Sequence, residues 1–233
     1  MTRAIGRATA QKRVAAAIGV VAAVLLTATG CGDDKKSDSS GDRPLTKAEL
    51  SGAALKQGDV ADFKITEIDT GKGAAVKAEN KSCQPIVDAM YPETSAYEKR
   101  VAARSIVQQT KDSRKPAEDY RLVVSAAESG AASEDVLTDL KQAVADCGSG
   151  FSTDASSMTS KIRSVKANKS SAGEDSVDFS LEYQIGRKVR YVVKRVGASL
   201  LNVKAEHISS HTDVAVPQEI VKAQSEKLAK AAG

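Results

Sequence analysis

The residues of this chain that could do chemistry are few and lie mostly in its last third. Glu206-His207-Ile208-Ser209-Ser210-His211 holds both histidines. On a helix that spacing would put two imidazoles on one face, as metal ligands often are. The surrounding pattern reads instead as the end of a strand, where the rings stand about 13 Å apart by strand rise and cannot share an ion unless the chain folds back. Surface histidines are therefore expected. Serines are abundant, but no Gly-x-Ser-x-Gly elbow precedes a helix. Gly148-Ser149-Gly150 fits a helix stop better than an active-site or phosphate loop. These grounds assign no catalytic residue, metal ligand or cofactor.

Arg187, Lys188, Arg190, Lys194 and Arg195 form the strongest charge concentration of the folded part. As a site, the first four could meet anionic headgroups or envelope polymers. As plain structure, they are a solvated turn and an outer strand face that resists edge pairing, and this reading is preferred. Nucleic acid is not expected as a partner, because aromatics for base stacking make up only 3% of the chain.

The N-terminus carries the most specific signal. Arg3, Arg7, Lys12 and Arg13 precede an uncharged run from Val14 to Leu26, the layout of an export signal. Thirteen residues in a helix reach about 20 Å, short of a hydrocarbon core near 30 Å. Thr27-Ala28-Thr29-Gly30-Cys31 follows, then Gly, Asp, Lys and Ser. This resembles the lipobox of bacterial lipoproteins, a small-residue run ending in Gly-Cys. The resemblance implies cleavage between Gly30 and Cys31, a diacylglycerol thioether on Cys31, and often an amide-linked chain such as palmitate. It would place the protein on the outer face of the cytoplasmic membrane, held there by about 0.8 kcal/mol per buried methylene. The alternative is an ordinary cleaved signal with Cys31 left as a free thiol. Residues 31–44 are too polar to bury apolar surface and read as a flexible tether.

Processing would alter the arithmetic. The full chain of 233 residues has 34 basic and 30 acidic side chains, a charge of +4. Removing residues 1–30 removes four basic side chains and leaves the two signs equal. Of three cysteines, Cys83 and Cys147 remain once Cys31 is acylated, and in an oxidising compartment an even pair favours a disulfide over two buried thiols. A hydrophobic share of 41% against 27% charged residues suits a folded domain.

The elements that must position these residues follow from periodicity. Thr46 and Glu49 are spaced as a capping box for a short helix that ends before Gly58. Phe63, Ile65 and Ile68 suggest a strand, and the polar run from Gly71 to Ser82 a loop. Gln84 to Tyr91 reads as a helix with Pro85 in its first turn, stopped by Pro92. Strands are expected over 101–110 and 120–127, then a helix capped at Ser133 with Val136, Leu137, Leu140, Val144 and Cys147 on its buried stripe. Residues 161–168 suggest a strand. Val177, Phe179, Leu181, Tyr183 and Ile185 alternate with polar residues as in a half-buried strand. Short turns at Gly186 and Gly197 make an antiparallel meander through Val189–Val196 and 199–208. Gln218 to Ala232 closes the chain as an amphipathic helix. The expected class is α+β, a single domain over 45–233, with one antiparallel sheet and helices mainly on one face.

Leu45-Thr46-Lys47-Ala48-Glu49-Leu50, Gly58-Asp59-Val60, Cys83, Cys147-Gly148-Ser149-Gly150-Phe151 and the hairpin from Val189 to Val203 together resemble actinobacterial lipoproteins related to the extracellular sensor domain of receptor Ser/Thr kinases. The resemblance implies an antiparallel sheet with helices, a cleft for an unknown ligand and a disulfide at Cys83 and Cys147. The second disulfide usual in that family has no counterpart. The resulting expectation is a non-catalytic, lipid-anchored domain that binds an envelope ligand or protein and signals only through a partner. The rivals are an envelope carrier of lipid or small molecules and an envelope hydrolase.

Overall fold

The computed structural model describes residues 42–70, 74–95, 101–108, 118–155, 158–207 and 210–233. Gly30, Cys31, the rest of the N-terminal segment through residue 41, and the polar stretch from Ser113 to Pro116 lie outside them. The chain divides into two units, residues 1–36 and 37–233, and all described residues belong to the second.

Helix α1 (Lys47–Ala53) begins with the capping box expected of Thr46 and Glu49, each side chain bonding the other's backbone N–H. Arg43, which sequence placed in the tether, is fastened instead: its guanidinium pairs with Glu49 and donates to the Ala231 carbonyl. The strands are β1 (Phe63–Ile68), β2 (Lys77–Ala78), β3 (Val101–Gln108), β4 (Glu118–Ala126), β5 (Phe151–Ala155), β6 (Met158–Ala167), β7 (Ser176–Tyr183), β8 (Lys188–Val196) and β9 (Ser199–His207). They form one antiparallel sheet in the order β1-β3-β4-β9-β8-β7-β6-β5-β2. With helices α2 (Gln84–Met90), α3 (Gly130–Asp146) and α4 (Gln218–Ala232), the class is α+β, as expected.

The helices divide between the two faces rather than gathering on one. Strand alternation makes this legible: Val192 of β8 and Leu201, Val203 and Ala205 of β9 join the core under α1 and α4. Val189, Tyr191 and Val193 of β8 and Leu200 of β9 join a second core under α2 and α3. Odd and even positions of one strand point to opposite faces, so one pair of helices covers each face. The reason lies in the sheet's width, since nine strands at about 4.8 Å spacing are far broader than two helices can cover. The pair on the second face is stapled by a disulfide from Cys83, at the start of α2, to Cys147, at the end of α3, with Cα atoms 6.0 Å apart. The loop it closes corresponds to about 4 kcal/mol in the chain-entropy model.

Three local expectations give way. Helix α3 starts four residues early, capped by Ser129, whose side chain accepts from the Ala132 N–H. Ser133 is buried and donates to the carbonyls of Gly130 and Gly197. Strand β7 is not half-buried: Ser176 and Asp178, on its polar register, are as covered as Val177 and Phe179. Its pattern stops at Tyr183, which leaves Ile185 77% exposed in the turn. Strands β2 and β5 were unforeseen. Gly150, just before β5, has φ +87°, and a Cβ there would lie 2.2 Å from the Ile162 carbonyl oxygen, so only glycine lets β5 pair with β6.

Candidate functional site

The antiparallel register places residues of three strands at one end of the sheet. Asp119 of β4 pairs with Glu206 of β9, and Glu206 pairs with Val189 of β8. The β7–β8 turn, closed by Gly186 at φ +84° and a Gly186 N–H bond to the Tyr183 carbonyl, sets Arg187 beside them. An open cleft of about 580 Å³ results, lined by Asp119, Ile185, Arg187, Glu206, His207, Ser210 and His211.

Arg187 anchors one wall. Its Nε donates to Glu206 Oε2 at 2.9 Å, its second nitrogen bonds the same oxygen, and its guanidinium carbon lies 5.3 Å from the centre of the Tyr183 ring. Lys204 donates to the other oxygen of Glu206. Burial raises the pKa of Glu206, but the bonds from Lys204 and Arg187 outweigh it and hold the carboxyl below its ordinary value. Asp119 responds the other way. Burial pushes its carboxyl up, with Lys204 pulling down and Glu206 pushing further up. Behind this wall, burial foremost and the neighbouring Tyr91 next raise Tyr183 to about 12, and burial lifts Tyr191 well above the ordinary phenol value.

Both histidines enter this cleft. His207 ends β9, half-buried, with Nδ1 enclosed and without a hydrogen-bond partner. His211 lies beside Gly186. His211 therefore stands at the β7–β8 turn and not on a straight extension of β9. Among the described residues, no group of three or more His, Cys, Asp or Glu side chains is disposed to hold a metal ion. Ser210 shares its hydroxyl with Thr212, and no described serine pairs with either histidine.

The basic cluster does not act as one surface. Arg190 makes a two-pronged pair with Asp178 at 2.8 and 2.7 Å, Arg195 meets Asp175 at 3.2 Å, and Lys188 stands 3.9 Å from Asp213. Lys194 donates to the Ala172 carbonyl at 2.6 Å. Strand β8 is also interior to the sheet, so edge protection is not its task. Arg187 alone of the five reaches the cleft. Asp119, which sequence reasoning missed, enters through pairing with a strand more than 80 residues away, and no local pattern announces it.

A second groove, of about 510 Å³, runs between α4 and the β6–β7 connection. Ala172, Val192, Val216 and Val221 contribute apolar surface, and Lys194, Lys222 and Glu226 stand among its lining.

No family profile matches the chain, and no curated protein matches it. Solved structures do. The chain is similar to the extracellular domain of PknH from Mycobacterium tuberculosis, with a TM-score of 0.52 and 11% identity, over 82% of this chain and 98% of that one. An uncharacterized protein of Mycobacterium smegmatis, the ortholog of Rv0999, aligns over 79% of this chain and 92% of its own at 15% identity and a TM-score of 0.33. The first likeness establishes a shared fold. No helix among the described residues is long and apolar enough to cross a membrane.

Proposed function

We propose that this chain is a lipid-anchored, extracytoplasmic, non-catalytic domain that binds a ligand in the cell envelope through the cleft at the end of β4, β8 and β9. The observation that carries the reading is the cleft itself: an open, mixed-charge recess on a fold similar to the PknH extracellular domain. A recess that combines apolar surface with a few polar groups suits recognition of a small ligand. Cleavage before Cys31, acylation of its thiol, a tether through residue 41 and a single folded domain after it complete the proposal. A signal would pass through a partner protein.

Cell fractionation with metabolic acyl labelling tests the anchor. The natural chain should label and sediment with membranes, and Cys31→Ala should do neither. A natural chain that is soluble and unlabelled overturns the anchor. The carrier reading draws support from the groove along α4, whose apolar side chains could hold an acyl chain. Mass spectrometry of the purified protein decides it, since stoichiometric co-purifying lipid would favour carriage.

A further inference from the structure

The groove along α4 is the more apolar of the two recesses, and strand alternation sets its floor. Val192 and Lys194 of β8 are two residues apart and so point to the same face, the one that α1 and α4 cover. Val216 and Val221, from the chain just before α4 and from its first turn, join the same core as Val192. Ala172, in the β6–β7 connection, packs against that core from another side. The lining from Gln218 to Glu226 runs about 12 Å along the helix at its rise per residue.

The charges of this groove are unevenly placed. Glu219, Lys222 and Glu226 are exposed on α4, where water screens them, whereas Lys194 is half-buried. Its ammonium donates to the Ala172 carbonyl at 2.6 Å, and among the described residues no carboxylate pairs with it. The arginines on the same strand differ, since Arg190 meets Asp178 and Arg195 meets Asp175. An ammonium has three donors, so one neutral carbonyl leaves it incompletely satisfied. An anion that reached it would make a charge-assisted hydrogen bond. Apolar surface that ends on such a cation is complementary to a hydrocarbon chain that ends on an anion. The two glutamates on the exposed side of the groove restrict that anion's charge, because like charges penalise a phosphate dianion more than a carboxylate.

We propose that the groove between α4 and the β6–β7 connection binds a single-chain fatty carboxylate, with its carboxylate on Lys194 and its hydrocarbon on Val192, Val216 and Val221. The groove shares no lining residue with the strand-end cleft. It is therefore a second site with a ligand class of its own, and it goes beyond the function proposed for the cleft.

The full chain in phosphatidylcholine vesicles tests it, with a laurate analogue bearing a photoreactive diazirine as the probe and mass spectrometry of labelled peptides as the readout. Peptides that hold Val192, Val216 or Val221 should label, and plain laurate should compete. Dodecyl phosphate should compete less well, and a diazirine-bearing dodecylamine should leave those peptides unlabelled. Lys194→Met keeps the aliphatic stem and should raise the probe concentration for half-maximal labelling about tenfold, as loss of a charged hydrogen bond does. Lys194→Arg should retain labelling. Ser171→Trp, at an exposed position of the lining, should block the groove while the urea midpoint stays unchanged, so the test does not depend on how Lys194→Met folds. Labelling spread evenly over the chain, equal labelling by the amine, or unchanged labelling of Lys194→Met and Ser171→Trp overturns the inference. Competition by dodecyl phosphate equal to that of laurate overturns the carboxylate assignment. The anchor at Cys31 and a ligand in the cleft are left to their own tests.

Discussion

Two polar regions of the same sheet handle a carboxylate beside an arginine in opposite ways. On the α4 side, Asp178 is almost fully enclosed and fully employed: Arg190 holds both its oxygens, and Asn168 donates to it at 3.0 Å while also bonding Ser180. At the strand ends, Asp119 is half-buried and accepts no hydrogen bond among the described residues, although Lys204, Arg187 and Arg121 are close in the fold. A buried polar network that closes on itself specifies the fold. One that leaves an acceptor open carries a cost that folding alone does not explain, which is why only the second region reads as a site.

Breaking the closed network should have the largest effect. Arg190→Met keeps the aliphatic stem and strands the Asp178 carboxylate, whose side chain is 1% exposed. Removing one partner of such a pair costs about 3 kcal/mol or more, measured as a lower urea midpoint at unchanged slope. A loss below about 1 kcal/mol would mean that water reaches Asp178, and the contrast between the regions would fail. Arg187→Ala should cost less, about 1 kcal/mol, because Glu206 retains Lys204 and the Arg187 side chain is 42% exposed.

What could be read from sequence divides along the same line. Local periodicity located α1, α2, α4 and the meander from β7 to β9, because each buries a stripe that its own residues define. It missed β5, whose Phe151-Ser152-Thr153-Asp154-Ala155 has little apolar alternation and depends on Gly150 meeting the β6 backbone. It placed the start of α3 at Ser133, since both serines suit a cap and only the Gly197 turn, 64 residues away, decides between them. Half-burial of β7 failed because what covers its second face, including the Asp178 network, arrives from β8 and from Asn168. In the cleft, Arg187, Glu206, His207 and His211 were legible as chemistry-bearing types, but not as neighbours. Asp119 was invisible because the register of β4 on β9 is not written in either strand alone.

Acid should separate the two cleft carboxylates. Glu206 has a lowered folded pKa, so its contribution to stability is full above the ordinary glutamate value near 4.3 and is lost as the pH falls through the folded value. Asp119 has a raised one, so its contribution is full below the ordinary aspartate value near 3.9 and is lost as the pH rises through the folded value. The two oppose each other as the protein is acidified from neutrality. Melting temperature against pH should fall more gently in Arg187→Ala, which removes a cause of the Glu206 shift, and more steeply in Asp119→Asn. Parallel curves for all three proteins would show that neither carboxyl couples to folding.

The smallest stability effect belongs to Asp119→Asn at neutral pH, and it discriminates most. If Asp119 were structural, replacing it would destabilise the fold in the manner of Arg190→Met. Because its carboxylate accepts no hydrogen bond among the described residues and its burial disfavours the charge, the neutral isostere should leave the urea midpoint unchanged or raise it, by no more than about 0.5 kcal/mol. Sites held for a ligand commonly carry this stability cost. The same substitution should weaken binding of a ligand in the cleft, so one variant moves function while stability stays still or improves. A clear destabilisation would assign Asp119 to the same structural role as Asp178 and remove the physical ground for treating the strand-end cleft as different in kind.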